Sequence, residues 1–158
     1  MDEQAKKTAL RLFTYGLYAI SSGDATERNA FTANWISQVS FDPPLVMLSI
    51  ENDSASLPLI RRVGRFAINV YGAEQRELAG QLGKSLVKHP TKLDNVTFAA
   101  TADGCPILAD TLAWVECVVE RETPAGDSTL LIAHVVDAGV LRESEALTMR
   151  AAGFKHAG

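Results

Sequence analysis

Short apolar runs enclosed by turn residues are the feature that most restricts the folds open to this chain. Residues 44–50 and 130–136 are each long enough for one buried strand and far too short to span a bilayer. The prolines of residues 41–44 break the chain before the first run, and residues 124–127 form a turn before the second. Strands of this kind recur without a regular strand–helix alternation, which predicts a mainly β, antiparallel barrel with short helical insertions.

The pattern predicts six or seven strands and two or three short helices along the chain. Leu78, Leu82 and Leu86 recur at helical spacing, and Pro58 suits the first turn of a helix. We expect strands at residues 15–21, 29–35, 45–50, 65–71, 95–101, 111–122 and 129–140, and helices at residues 4–13, 57–63 and 74–85. No linker-like stretch divides the 158 residues, so residues 1–158 are expected to form a single domain.

Charge and composition exclude several classes of function. The net charge is −4 and no basic run occurs, which disfavours nucleic-acid binding. The first seven residues lack the apolar core of a secretory signal, so a cytoplasmic protein without membrane contact is expected. Two cysteines and three scattered histidines have no metal-ligand spacing, and no catalytic triad or dyad is visible. We therefore expect no metal, and any redox chemistry must come from a bound cofactor.

Residues 29–40 have an unusual composition for a barrel strand. Amides and hydroxyls recur around one large aromatic residue, Trp35, where a strand that only packs would bury apolar side chains on one face. Such groups suit a planar heterocycle that presents donors and acceptors along one edge. An exposed edge strand with solvated side chains has the same composition. The composition alone leaves both interpretations open.

The segment Asn52-Asp-Ser-Ala-Ser56 precedes a predicted helix. Free backbone N–H groups and the helix dipole favour an anion at such a position, and Ser54 and Ser56 add hydroxyl donors. Plain N-capping explains the same residues, and Asp53 disfavours a phosphate directly beside it. The residues by themselves favour capping.

Several segments together resemble a known family. The segment Asn29-Ala-Phe-Thr-Ala-Asn-Trp-Ile-Ser-Gln-Val-Ser-Phe-Asp-Pro-Pro-Leu45 resembles the flavin-binding signature of the flavin reductase-like, FMN-binding split-barrel family. Later family segments are matched in order by residues 46–54, 66–70, 104–108, 112–117 and 147–153. The resemblance extends from about Tyr15 to the C-terminus.

The resemblance implies an antiparallel Greek-key split β-barrel that forms a homodimer, with an FMN in each of two sites between subunits. The residues that match the stretch contacting the isoalloxazine ring are Thr32, Ala33, Asn34 and Trp35. Those that match the ribityl and phosphate region are Gln38, Ser40, Ser49, Ile50, Glu51, Asn52 and Ser54. On this comparison the anion site before the predicted helix becomes favoured over plain capping.

The implied activity is that of an NAD(P)H-dependent flavin reductase, which uses NADH or NADPH and supplies a partner monooxygenase or redox protein. Many family members have Gly-Asp-His in the turn before the last long strand, but this chain has Gly126-Asp127-Ser128. Serine can neither stack on nicotinamide nor donate a proton near neutral pH. A non-enzymatic FMN carrier or electron-transfer module is therefore the alternative, and no catalytic residue is assigned. In the tail, Phe154 or His156 is expected to cover the flavin.

Overall fold

The computed structural model describes residues 1–156, and this part of the chain contains nine strands and four helices. The strands are β1 (Tyr18–Gly23), β2 (Arg28–Ala33), β3 (Ile36–Ser40), β4 (Leu45–Glu51), β5 (Arg65–Val70), β6 (Phe98–Ala100), β7 (Pro106–Leu108), β8 (Ala113–Ala125) and β9 (Ser128–Val140). The helices are α1 (Glu3–Arg11), α2 (Ser56–Val63), α3 (Arg76–Leu82) and α4 (Met149–Ala152). None of these four helices is long and apolar enough to cross a membrane.

Seven strands form one antiparallel sheet in the order β2-β1-β5-β8-β9-β4-β3. Its two edge strands, β2 and β3, are consecutive in the chain and are joined only by Asn34 and Trp35. That connection reaches at most about 11 Å, whereas a flat sheet of seven strands is roughly 29 Å wide. The sheet must therefore roll into a barrel. We call the seam between β2 and β3, which are not hydrogen-bonded neighbours, the split.

The connection from β4 to β5 gives the barrel its Greek-key topology. It contains α2 and passes over one end of the barrel, because β8 and β9 lie between β4 and β5 in the sheet. In the sheet, β5, β8 and β9 are consecutive neighbours, and β4 lies beside β9. The mainly β split barrel predicted from the sequence is confirmed.

The core consists of the inward-facing side chains of the barrel strands. In β4 the buried residues alternate, with Val46, Leu48 and Ile50 inside. They pack in one cluster with Leu131 and with Phe66 of β5. A second cluster lies outside the sheet beneath α3 and α4 and includes Leu17, Tyr71, Leu82 and Leu147. This second cluster fixes α3 against the barrel beside the split.

Several details of the predicted elements are wrong, and the edge strand β3 was not predicted. The strand expected at residues 29–35 ends at Ala33, because the chain crosses the split at Asn34 and Trp35. Only residues 98–100 of the strand expected at 95–101 are extended, and they pair with β7, which was not predicted. Buried Asn69 holds this small sheet, since its side-chain oxygen accepts from the Leu108 N–H. The short helix α4 was also not predicted.

Candidate functional site

A cavity of about 740 Å³ opens at the split. Its walls are the β2–β3 connection, the end of β4 with the turn into α2, the residues that follow α3, and the C-terminal tail. The predicted site residues that line it are Thr32, Ala33, Asn34, Trp35, Ser49, Ile50, Glu51 and Ser54. Residues from β2, β4 and the turn before α2 are thus brought together at one end of the barrel.

Three predicted site residues do not line this cavity. Gln38 and Ser40 lie on β3, where the Gln38 side-chain amide donates to the Ser40 carbonyl at 3.1 Å. Asn52 turns toward the β8–β9 hairpin, and its side-chain oxygen accepts from the Thr129 hydroxyl at 2.8 Å. In this structure these side chains are directed away from the cavity, and their contacts with a flavin stay predictions.

The hydroxyl of Thr32 is already engaged within the protein. It donates to the Ala79 carbonyl at 2.7 Å, so the Tyr71 hydroxyl, 2.9 Å away, is the donor in their mutual bond. Tyr71 is fully buried, and burial raises the pKa of its hydroxyl above the usual value. The Thr32 side chain therefore joins β2 to α3, which leaves its backbone and methyl group for a ligand.

The N-terminal end of α2 forms the opposite wall of the cavity. Its N-cap residue is Ala55, which makes no side-chain capping bond, so the capping expected from the segment is only partial. The Ser54 hydroxyl accepts from the Ser56 N–H at 3.3 Å, and the Ser56 hydroxyl accepts from the buried Asn29 amide at 2.7 Å. Because Ser54, Ala55 and Ser56 all line the cavity, the positive end of the helix dipole lies at its wall.

The C-terminal tail closes another side of the cavity. After α4 the chain turns at Gly153, whose φ of 72° is left-handed, and Phe154 and His156 both line the cavity. The His156 carbonyl accepts from the Asn34 amide at 3.3 Å, and the His156 ring lies 5.4 Å from the Trp35 ring. His156 Nε2 is 3.5 Å from a Glu51 carboxylate oxygen. The tail therefore bridges both sides of the split, although its covering of a flavin stays a prediction.

Two lysines at the cavity wall escaped the sequence analysis, Lys84 and Lys92. Lys92 is only 5% exposed, and its ammonium group donates to the carbonyls of Leu82 and Lys84 at 3.2 and 3.0 Å. These carbonyls end α3, where the helix dipole favours a cation. Burial lowers the pKa of Lys92, which has no carboxylate partner among residues 1–156. Lys92 lies ten residues beyond the end of α3, so no helical or strand periodicity in the sequence indicates that it returns to this helix end.

Ser128, at the position of the family histidine, lies beside the cavity and does not line it. It is 3% exposed, and its hydroxyl bonds to the Asp127 carboxylate at 3.1 Å. In the β4–β9 ladder it is paired with Glu51, which does line the cavity. The turn that carries the histidine in many relatives is therefore one strand away from the cavity.

The described residues contain no cluster of three or more His, Cys, Asp or Glu side chains that could hold a metal ion. Cys105 and Cys117 are free, buried thiols, and burial raises the pKa of each to about 12. Neither is therefore an activated nucleophile at neutral pH.

The fold and the cavity agree with the relationships of the chain. It belongs to the family described as the flavin reductase like domain, whose model matches residues 10–158. It is 32% identical over 140 residues to the NADH-dependent flavin reductase StyB from Pseudomonas fluorescens, with 88% of this chain and 79% of that protein covered.

Two solved structures have the same fold. The flavin reductase PheA2 in its native state superimposes with a TM-score of 0.81 and 28% identity, covering 94% of this chain and 93% of that chain. BorF, the flavin reductase component of a bacterial two-component tryptophan halogenase, gives a TM-score of 0.83 and 28% identity, with 96% of this chain and 95% of that chain covered.

Other relatives are longer than this chain. The chain spans 42% and 57% of two proteins from Rhizobium meliloti and 62% of the high molecular weight rubredoxin from Moorella thermoacetica.

The residues around the cavity fit a flavin. A volume of about 740 Å³ lies within the usual range for a bound small molecule. Its wall combines the Trp35 ring with the polar groups of Asn34 and Ser49, which suit a planar ring that has donors and acceptors on one edge. Lys84 and the uncapped end of α2 suit an anionic tail.

The Thr32–Tyr71 bond generates a stability prediction. We expect Thr32→Val to lower the free energy of unfolding by about 1–3 kcal/mol, because it leaves the buried Tyr71 hydroxyl without a partner. In a Tyr71→Phe background that hydroxyl is absent, so Thr32→Val is expected to lower the free energy of unfolding by a smaller amount. Urea unfolding of the two single variants and the double variant measures this coupling. Strictly additive losses would contradict the bond.

Proposed function

We propose that this chain is an NAD(P)H-dependent flavin reductase that binds FMN at the split and supplies reduced flavin or electrons to a partner monooxygenase or redox protein. The observation that carries the proposal is the cavity at the split, lined by Thr32–Trp35 of the signature segment. We propose further that residues 1–158 act as one flavin-binding domain, which is supported by the family match over residues 10–158.

Similarity to named reductases supports this activity. StyB is described as NADH-dependent, and a protein from Rhodococcus erythropolis that is 30% identical over 129 residues is described as an NADH:FMN oxidoreductase. BorF serves a two-component halogenase, which supports a partner oxygenase for this chain also.

In this proposal the residues at the split bind the flavin and fix its orientation. A bound flavin would supply the redox chemistry by taking up hydride from reduced nicotinamide. The Asn34 amide, the backbone of residues 32–35 and the Trp35 side chain would hold its ring. Ser49, Ile50, Glu51 and Ser54 would hold its ribityl chain and phosphate. The tail excludes water, since His156 is joined to both Asn34 and Trp35.

A non-enzymatic FMN carrier or electron-transfer module is the second candidate. The observation that favours it is Ser128, which is buried, bonded to Asp127 and unable to contribute the ring that many relatives have there. A carrier would bind FMN equally well and would differ from a reductase only in its reaction with reduced nicotinamide.

Reduction under anaerobic conditions separates the two candidates. We expect NADH or NADPH to bleach the absorption band of the FMN-loaded protein stoichiometrically, because the reductase accepts hydride directly. Dithionite provides the control that the flavin is reducible. Bleaching by dithionite alone would leave the carrier as the function. Failure of FMN to copurify or to bind at micromolar concentration would reject both.

The proposed phosphate contact can be tested at Ser54. Its hydroxyl oxygen accepts from the Ser56 N–H, which leaves its proton free to donate to a ligand. We expect Ser54→Ala to weaken FMN binding by about 1–2 kcal/mol, measured by titration of flavin fluorescence. Ser144→Ala, at an exposed position outside the cavity, is the matched control and is expected to bind as the unmodified protein does. Equal affinity of the two variants would remove Ser54 from the site.

We also propose that the chain forms a homodimer across β3. Gln38 and Ser40 lie on this exposed edge strand, outside the cavity of their own protomer, and a partner packed there would bring them near its flavin. Phe41 is 91% exposed, and Val136 is also exposed near the same turn, because the Val135 N–H donates to the Pro44 carbonyl. Apolar side chains grouped in this way suit the centre of an interface.

Phe41→Asp tests the dimer, since it would bury a charge in the interface. We expect light scattering after size exclusion to show a dimer for the unmodified protein and a monomer for the variant, with FMN affinity lowered about tenfold or more. Phe13→Asp, at another exposed aromatic residue away from β3, is the matched control. A monomeric unmodified protein, or a variant that stays dimeric, would contradict the proposal.

A further inference from the structure

The C-terminal tail crosses the cavity at the split from one wall to the other. Residues 153–156 follow α4, and all four line this cavity. They begin beside α3, which Thr32 joins to β2, and reach Glu51 at the end of β4 on the opposite side of the split. We call residues 153–156 the strap. Its effect on a ligand in the cavity depends on how firmly each of its ends is held.

The end of the strap beside α3 is firmly attached. Arg76 Nε donates to the carbonyl of Ala152, the last residue of α4, at 2.7 Å, and the Arg76 guanidinium group lies 5.5 Å from the centre of the Phe154 ring. The Phe154 N–H donates to the Met149 carbonyl at 3.1 Å, and the ring packs against the second core cluster. Hydrogen bonds and apolar packing therefore fix this end.

The other end of the strap is held by His156 through longer contacts. Its carbonyl accepts from the Asn34 amide at 3.3 Å, and its Nε2 lies 3.5 Å from a Glu51 carboxylate oxygen, so both distances are long for a hydrogen bond. The side chains of His156 and Glu51 are 56% and 54% exposed, which weakens an electrostatic attraction between them. The His156 ring also packs on Trp35, with the ring centres 5.4 Å apart. This end of the strap is therefore the one that opens first.

We propose that His156 latches the strap across the cavity, and that release of this latch controls how fast a flavin enters and leaves. The inference rests on the proposed flavin site and concerns the exchange of its ligand with solvent. Because Phe154 stays fixed, the outer end of the strap swings away from β4 and opens one side of the cavity. A latched strap retains FMN through successive reactions, whereas an open strap lets FMN leave as a product.

The latch predicts how the two exchange rates respond when it is removed. Its contacts join groups of the chain to one another, so their strength does not depend on a bound flavin. A strap that opens equally often with and without flavin slows entry and exit by the same factor. The affinity is the ratio of the two rates and therefore stays nearly constant. A residue that only contacts the flavin behaves differently, since its loss speeds dissociation and weakens binding.

His156→Ala tests the latch, because it removes the ring contact with Trp35 and the approach to Glu51. We expect the association and dissociation rate constants of FMN, measured by stopped-flow flavin fluorescence, each to rise about fivefold, the effect of losing one ring contact and one exposed ion pair. The Kd should stay within about twofold. His89→Ala is the matched control, since this exposed histidine does not line the cavity at the split, and its rates should equal those of the unmodified protein.

The two rate constants separate the latch from other roles of His156. A faster dissociation alone, with a weaker Kd, would make His156 a contact of the flavin. A faster association alone would mean that the strap occupies the place of the flavin. Either result, or rates equal to those of His89→Ala, would overturn the proposal. Unmodified protein that binds no FMN would reject the proposed function and the latch with it, whereas normal binding with unchanged rates rejects the latch only.

The position of the strap can also be measured without a flavin. Trp35 and Trp114 are the two tryptophans of the chain, so Trp114→Phe leaves Trp35 as the single emitter. In this background we expect His156→Ala to shift the Trp35 emission to longer wavelength, because the lifted strap exposes the indole ring to water. An unshifted spectrum would show that His156 does not hold the strap at Trp35, and the latch would be rejected.

Discussion

The two-residue connection between β2 and β3 is the constraint on which the rest of the molecule depends. Asn34 and Trp35 must join the opposite edges of a seven-stranded sheet, and this short reach forces the sheet to curl. The covalent connection brings β2 and β3 together, but no backbone hydrogen bonds of a β-ladder join these two strands. The Trp35 carbonyl instead accepts from the Ser49 N–H at 3.0 Å. The same feature therefore creates both the barrel and the cavity at the split.

The outer edge of β2 has no ladder partner, and side-chain hydrogen bonds join β2 and Asn34 to three other parts of the chain. The Thr32 hydroxyl joins it to α3, the Asn29 amide joins it to the start of α2, and the Asn34 amide joins it to the tail. These polar bonds replace the missing ladder and cover an edge that would otherwise attract another chain. They also explain the polar composition of residues 29–34. The side chains of Asn29 and Thr32 are therefore engaged within the protein.

The sequence allowed seven of the nine strands to be predicted because alternation and turn residues are local patterns, whereas the signature segment was identified by its resemblance to a known family. The alternation in β4 and the prolines of residues 41–44 are visible in a few consecutive residues. The boundary at Asn34 was not visible, since polar residues continue on both sides of it. The contact between Lys92 and the Lys84 carbonyl was not visible either, because these residues meet only after the chain has folded back beyond α3. Contacts between distant segments leave no period in the sequence.

The position of Ser128 also bears on the proposed reductase activity. Hydride transfer belongs to the flavin and the nicotinamide, so the protein must mainly hold both rings in register and keep water away. Neither task needs a proton donor in the β8–β9 turn. The histidine that this chain does bring to the cavity is His156, which approaches from the tail and contacts Trp35 and Glu51. Because Glu51 is also the ladder partner of Ser128, the His156 imidazole lies beside the same end of β4.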